Sequence, residues 1–210
     1  SHANPSGVKV FIEDLNSRWA AAPDKPFEVT YGQRMKGNYF GLITVQARLE
    51  RVYRITNVSS KQELDRIAWG IFREVADAFE TMQGSFPNAI DASSQDSSFR
   101  NGDLMGNRIA FYRALRGYTK DQVQAWIHPL SVEDSLQHFQ QAPMAKNSSW
   151  DVPPELAGGP LDELIHDVVW FSSHASRLKE KQYWFRVDFL GWHIRFQLTY
   201  HDMDFRNLKG

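Results

Sequence analysis

Three groups of polar side chains have the residue types and the spacing that catalysis or ligand binding requires. The first consists of His166 and Asp167, with His174 eight residues after His166. A histidine beside a carboxylate can act as a general base, and two histidines can share a metal ion. The spacing matches no specific metal motif, so we assign no metal ligands. The alternative interpretation is a polar helix end that carries ordinary surface histidines.

The second group lies on a predicted helix. Asp103 and Asn107 are one turn apart on such a helix, and so are Arg108 and Tyr112. A run of this kind can line a polar cleft, which makes Asn107, Arg108 and Arg113 candidate binding residues. The alternative is a capped amphipathic helix whose arginines are solvated.

The third group follows the last predicted strand. His193, Arg195 and His201 share one face if the alternation of polar and apolar residues holds, and Asp202 and Asp204 follow on the opposite phase. In an enzyme, His201 would act as a base or ligand and Arg195 would hold an anionic group. Either aspartate would then orient a partner. The alternative is a solvated sheet surface.

Five predicted helices would carry or surround these groups. The strongest begins at a capping box of Ser60 and Glu63 and continues as an apolar stripe through Ile71, which we expect to lie in the core. A second capping box, Thr119 and Gln122, starts another helix. The predicted ranges are 8–22, 61–83, 102–116, 119–127 and 131–141, and in the last of these Val132, Leu136 and Phe139 form the expected inner face.

The predicted strands complete an α+β fold, with several helices packed on an antiparallel sheet that ends in a C-terminal aromatic hairpin. Residues 27–31 form a short strand. Residues 39–56 fit both a strand and a helix, and their β-branched side chains favour the strand. Tyr183 to Tyr200 alternates over two runs that slip by one residue at Leu190 and Gly191, which indicates a tight hairpin or a bulge. Residues 161–171 form a short helix or a strand.

Composition excludes several classes of protein. The 210 residues have a formal charge of −1 and no basic run, which argues against nucleic-acid binding. No apolar stretch is long enough to span a bilayer. The chain has no cysteine, so disulfides and thiolate chemistry are absent. The standard hydrolase, P-loop, dinucleotide and zincin motifs are also missing, and no particular cofactor is indicated.

The N-terminus has the features of a trimmed domain. Ser1, His2 and Ala3 are typical of the residues left by tag cleavage, and residues 1–7 form a remnant and linker. We expect residues 8–210 to be a single domain, excised as the C-terminal domain of a larger protein.

Two segments carry a resemblance to a known family. Ile71 to Val75, and His166 to Trp170 together with His174, resemble an uncharacterised bacterial domain found in enterobacterial proteins suspected to be type VI secretion effectors. The likeness covers about a quarter of the chain. It implies an antibacterial toxin domain that is secreted or delivered into a target cell, with a cognate immunity or chaperone protein as its partner. The alternative is a non-catalytic binding module, such as an immunity or adaptor protein, in the cytoplasm.

Overall fold

A computed structural model describes residues 6–39, 43–84, 101–141, 150–152, 154–189 and 192–198. The helices in these ranges are α1 (Ser6–Ala21), α2 (Lys61–Gly84), α3 (Asn101–Arg116), α4 (Lys120–Ile127), α5 (Val132–Gln141) and α6 (Val168–His174). The strands are β1 (Phe27–Tyr39), β2 (Ile43–Ile55), β3 (Ala175–Phe189) and β4 (Trp192–Leu198), and a single 3₁₀ turn covers Pro154–Leu156. The architecture is α+β, as the sequence predicts.

The sheet is antiparallel, and its strands follow one another in chain order, β1-β2-β3-β4. β1 and β2 form a long hairpin that pairs from Phe27 opposite Ile55 to Tyr39 opposite Ile43. The pairing of β2 with β3 shifts register near Arg51 and Tyr53. Bulges of this kind bend a strand and change the direction of its side chains.

Helix α2 is the centre of the core. It packs against β1, β2, α1, α3 and α6. Its predicted stripe is buried, and Leu64, Ile67, Ile71 and Val75 have no measurable exposure. Trp69, also on α2, lies among the rings of Phe72, Phe111, Tyr112 and Trp150. Tertiary packing of this face, more than helix propensity, is what stabilises such a helix.

The ends of two helices have the predicted caps. Thr119 and Gln122 form a complete capping box at the start of α4. At α2 the Ser60 hydroxyl accepts from the backbone of Glu63, whereas the Glu63 carboxylate accepts from the backbone and hydroxyl of Ser59, one residue earlier than expected. Both arrangements satisfy amide groups that a helix N-terminus leaves unpaired.

Three local expectations have different outcomes. Residues 43–55 form a strand, as the β-branched residues indicated. The expected inner face of α5 is wrong, because Val132 and Leu136 are 71% and 57% exposed. That helix is amphipathic, but the described part of the chain does not cover its apolar side. Of residues 161–171, which were expected to form a short helix or a strand, those from Val168 onward are helical, as the start of α6.

The C-terminal aromatic hairpin stays a prediction. The backbone of β4 pairs with β3, with Phe189 opposite Trp192 and Tyr183 opposite Leu198. The side chains of β4 and its connecting residues lie outside the described part, so the structure assigns no packing to the aromatic residues. No helix within the described ranges has the length and apolar character needed to cross a bilayer.

Candidate functional site

A cleft of about 420 Å³ opens between α2, α3 and two further segments, residues 150–152 and 162–166. A volume of this size falls within the range of small-molecule sites in proteins. We call it the Arg73–His166 cleft. Its lining residues are Trp69, Arg73, Arg108, Trp150, Asp151, Val152, Asp162, Leu164, Ile165 and His166.

Arg108 forms the inner wall and ties the cleft together. Its guanidinium is buried and donates to the carbonyl of Trp150 at 2.7 Å and to that of Leu161 at 2.8 Å. A longer contact of 3.4 Å reaches Asp162. Burial lowers the pKa of Arg108, and the nearby Asp162 carboxylate opposes that effect. Because its hydrogens already bind backbone oxygens, Arg108 positions the two segments of the wall.

Arg73 presents a second guanidinium whose bonding is incomplete. Its central carbon lies 5.2 Å from the ring centroid of Trp150 and 6.0 Å from that of Trp69, within the range of cation–π attraction. Its Nε is buried and makes no hydrogen bond in the part of the chain that the structure describes. Burial lowers the pKa of Arg73, and the charge of Arg108 adds to this, while Asp77 and Asp151 oppose it.

His166 completes the cleft with a second buried nitrogen. Nε2 of its ring has no hydrogen-bond partner among the residues described, and the ring packs 5.4 Å from that of Phe171. Burial lowers the pKa of His166 to about 4, the positive charge of Arg73 contributes to the decrease, and Asp167 acts against it. The imidazole is therefore neutral near pH 7, and it can accept or donate one hydrogen bond at each nitrogen according to its tautomer.

The side chains of Asp167 and His174 interact with residues of α6 itself. The Asp167 carboxylate caps α6 by accepting from the amides of Val169 and Trp170 at 2.8 and 3.1 Å. His174 stacks on Trp170 with ring centroids 4.2 Å apart, and its Nδ1 lies 2.8 Å from the Trp170 carbonyl. His166 and His174 thus flank the two ends of α6, and only His166 lines the cleft.

The candidate binding residues on α3 also lie in different places. Arg108 lies in the cleft, whereas Arg113 donates to the carbonyl of Tyr118 just beyond the end of α3. Asn107 is buried, and its Nδ2 has no hydrogen-bond partner within the described ranges. The structure therefore brings His166 and Arg108 together from the first two predicted groups.

Two residues of the third predicted group lie on β4. The backbone of this strand places His193 opposite Asp188 and Arg195 opposite Arg186. His201, Asp202 and Asp204 lie outside the described residues, so their predicted roles stay predictions.

Most of the residues that line the cleft do not stand out in the sequence. Arg73 belongs only to a segment that carries the family resemblance, and no sequence pattern singles out Trp69, Trp150 or Asp151. A usable signal was present in the proline- and glycine-rich connection between α5 and α6. Long connections are often functional, and a large aromatic residue such as Trp150 within one indicates an anchored segment.

Comparisons with known proteins add no assignment. Models of protein families, curated proteins and solved structures gave no match to this chain. Within the described residues, no group of three or more metal-binding side chains lies together.

Proposed function

We propose that this domain binds an anionic ligand in the Arg73–His166 cleft, and that it does so as the toxic domain of an antibacterial effector delivered into a target cell. The observation that carries the first part is a set of three buried nitrogens on lining residues, Nε1 of Trp69, Nε of Arg73 and Nε2 of His166, which have no hydrogen-bond partner among the described residues. Buried polar groups in folded proteins nearly always have a partner, so three in one cleft favour a ligand that supplies partners for them.

Charge and shape support an anionic group, such as a carboxylate or phosphate. A guanidinium offers planar donors that match either group, and the partial burial of Arg73 strengthens the attraction. The rings of Trp69 and Trp150 hold Arg73 in place, and Arg108 fixes the opposite wall through backbone carbonyls. Such prior positioning reduces the entropy that binding would otherwise cost.

The neutral imidazole supplies the chemical capability for an enzyme. An anion beside His166 would favour the protonated ring and raise its pKa from about 4. Ligand binding would then move His166 toward the range in which it exchanges protons near neutral pH. A reaction in which His166 removes a proton from water or a hydroxyl group is consistent with this arrangement.

The effector assignment has separate support. The resemblance includes Arg73, within Ile71 to Val75, and His166, within His166 to Trp170. Both residues line the cleft, although they are about ninety positions apart in the chain. A cognate immunity or chaperone protein belongs to the same proposal.

A binding module is the second candidate, and one observation favours it. Ile165 lines the cleft, Val168 and Val169 follow it in the chain at the start of α6, and the three residues are 70%, 66% and 82% exposed. Exposed apolar residues in a group are typical of protein–protein contact sites. In that case the domain would be an immunity or adaptor protein, and the cleft would lie at the edge of its interface.

Expression in a bacterial host separates the two candidates. We expect the wild-type domain to stop growth when sent to the compartment of its target, and His166→Asn and Arg73→Met each to relieve toxicity. His128→Asn and Arg18→Met are matched controls on exposed positions outside the cleft and should stay toxic. Harmless expression of the folded wild-type domain in both cytoplasm and periplasm would contradict the effector proposal.

Anion binding is tested apart from toxicity. Calorimetric titration should show that phosphate or acetate binds to the wild-type domain and that uncharged analogues of these ions do not. Arg73→Met should abolish this binding, whereas Arg18→Met should preserve it. Equal affinity in the wild type and the Arg73→Met variant would contradict the proposed site.

A further inference from the structure

A second cleft lies further along α2, between this helix, α6 and the sheet. Its volume is about 560 Å³, which is also in the range of ligand sites. Tyr53 and Arg177 line it from the sheet, Glu74, Asp77 and Thr81 from α2, and Ser172 from α6. We call it the Glu74–Arg177 cleft. None of its residues belongs to the site described above.

One side of this cleft is acidic and rigidly held. Glu74 and Asp77 are three residues apart and therefore share a face of α2. Tyr53, fully buried, donates its hydroxyl hydrogen to Oε2 of Glu74 at 3.0 Å. Trp150 donates to Oδ1 of Asp77 at 2.7 Å. Within the described residues, these bonds occupy one oxygen of each carboxylate and leave the other able to accept.

The opposite side is basic. Arg177 lies directly across from Tyr53 in the pairing of β3 with β2, next to the register shift. Its side chain is exposed, and it makes no ion pair with Glu74 or Asp77. Arg51, which is buried and donates to the backbone carbonyl of Glu74, also lines the cleft. The exposed guanidinium of Arg177 is therefore the one that faces the carboxylates without a direct ion pair to them.

The burial of Asp77 also favours a bound cation at the acidic side of the cleft. Desolvation raises the pKa of Asp77, and the negative charge of Glu74 adds to this, while the Trp150 hydrogen bond and the positive charges of Arg73 and Arg51 oppose it. A carboxylate under this influence gains more from a nearby positive charge than a solvated one does. A primary ammonium group, with three donors, matches two acceptors that are one helical turn apart.

We infer that the Glu74–Arg177 cleft binds a zwitterionic small molecule of the amino-acid class, whose ammonium contacts Glu74 and Asp77 and whose carboxylate contacts Arg177. The separation of opposite charges across one cleft is the feature that selects a zwitterion over a simple cation or anion. Ser172 and Thr81 also line the cleft, and their hydroxyl groups donate to the backbone carbonyls of Val168 and Asp77.

The test is a calorimetric screen of the folded domain against the twenty standard L-amino acids. The best binder is then compared with its decarboxylated amine and its deaminated acid. We expect at least one amino acid to bind with a dissociation constant below about 1 mM, and each single-charge analogue to bind at least tenfold more weakly. Failure of all twenty, or equal binding of an analogue, would overturn the inference.

Variants locate the binding. Glu74→Gln keeps an acceptor for Tyr53 but removes the charge, and Arg177→Met keeps the length of the side chain. Each should weaken binding at least tenfold, whereas Glu13→Gln and Arg18→Met, exposed residues of α1, should not. If both cleft variants bound the amino acid with unchanged affinity and melted at temperatures close to that of the wild type, the inference would also be overturned. Arg177→Met should leave the binding of phosphate or acetate in the Arg73–His166 cleft intact, so the two proposals can fail independently.

Discussion

The indole nitrogen of Trp150 donates to the carboxylate of Asp77 at 2.7 Å, across 73 positions of the chain. Trp150 lines the Arg73–His166 cleft, and Asp77 lines the Glu74–Arg177 cleft. One hydrogen bond therefore joins the walls of both clefts through α2. Its loss should affect stability first, since it anchors the segment around Trp150 to the core.

Replacing Asp77 separates its hydrogen bond from its charge. Asp77→Ala leaves the indole N–H of Trp150 without an acceptor, and we expect the free energy of unfolding to decrease by about 1–3 kcal/mol. Asp77→Asn keeps an acceptor oxygen and should cost less. Chemical denaturation of the three proteins at pH 7 measures the difference. Equal stability of the alanine and asparagine variants would show that the hydrogen bond contributes nothing.

The pH dependence of Asp77 follows from the direction of its pKa. Because burial raises the pKa in the folded state, the folded protein binds the proton more tightly than the unfolded chain does. Stability from this group therefore decreases as pH rises through the raised pKa. Asp77→Asn has no ionisable group at this position, so it does not undergo this decrease in stability. Its free energy of unfolding relative to wild type should therefore increase from pH 4 to pH 7. A constant difference over this range would contradict the raised pKa.

His166 should titrate in the opposite sense. Its folded pKa is lowered from 6.5 to about 4, so the unfolded chain binds the proton more tightly. The wild-type domain should lose stability as pH falls from about 6.5 to about 4. His166→Asn should lose less over this interval, and denaturation curves at each pH measure the difference.

A matched variant controls for other groups. His128→Asn changes an exposed histidine at a backbone angle of φ 42°, which asparagine tolerates. Its stability should follow the wild type at every pH. If His166→Asn did the same, the imidazole of His166 would not be buried as the structure shows.

Gly70 permits the close approach of α6 to α2. A Cβ at this position would overlap the ring of Phe171, whereas a Cβ at Gly7, in the first turn of α1, would meet nothing within 4 Å. We expect Gly70→Ala to cost about 1–3 kcal/mol despite the better helix propensity of alanine. Gly7→Ala should be neutral or slightly stabilising. Thermal denaturation compares the two, and a neutral Gly70→Ala would show that α6 can move away without cost.

The core position of α2 makes a simpler prediction. Ile71 is fully buried, and Ile71→Ala should lower the free energy of unfolding by roughly 2–5 kcal/mol. Val10→Ala, at a residue of α1 that is 67% exposed, should change it by less than about 0.5 kcal/mol. Denaturant titration measures both, and similar values for the two variants would contradict the assignment of Ile71 to the core.

Local signals predicted most of the elements. The stripe through Ile71, the capping box at Thr119 and the alternation in residues 43–55 each depend on neighbours within a few positions. Such patterns can be read without knowledge of the fold. The exposed α5 shows the limit, since an amphipathic pattern indicates that one face is apolar but does not indicate what covers it.

The sequence by itself determined the α+β class, the helix and strand types, and His166 and Arg108 as candidates. Only the tertiary structure decided which candidates share a cleft. Arg73 and His166 meet because α2 and the segment before α6 pack on the same core, and Trp150 reaches Asp77 through a bond that spans 73 positions. Helical and strand periods carry information over a few residues, whereas convergence at a site depends on long-range packing and on the burial that shifts the pKa values of Asp77 and His166.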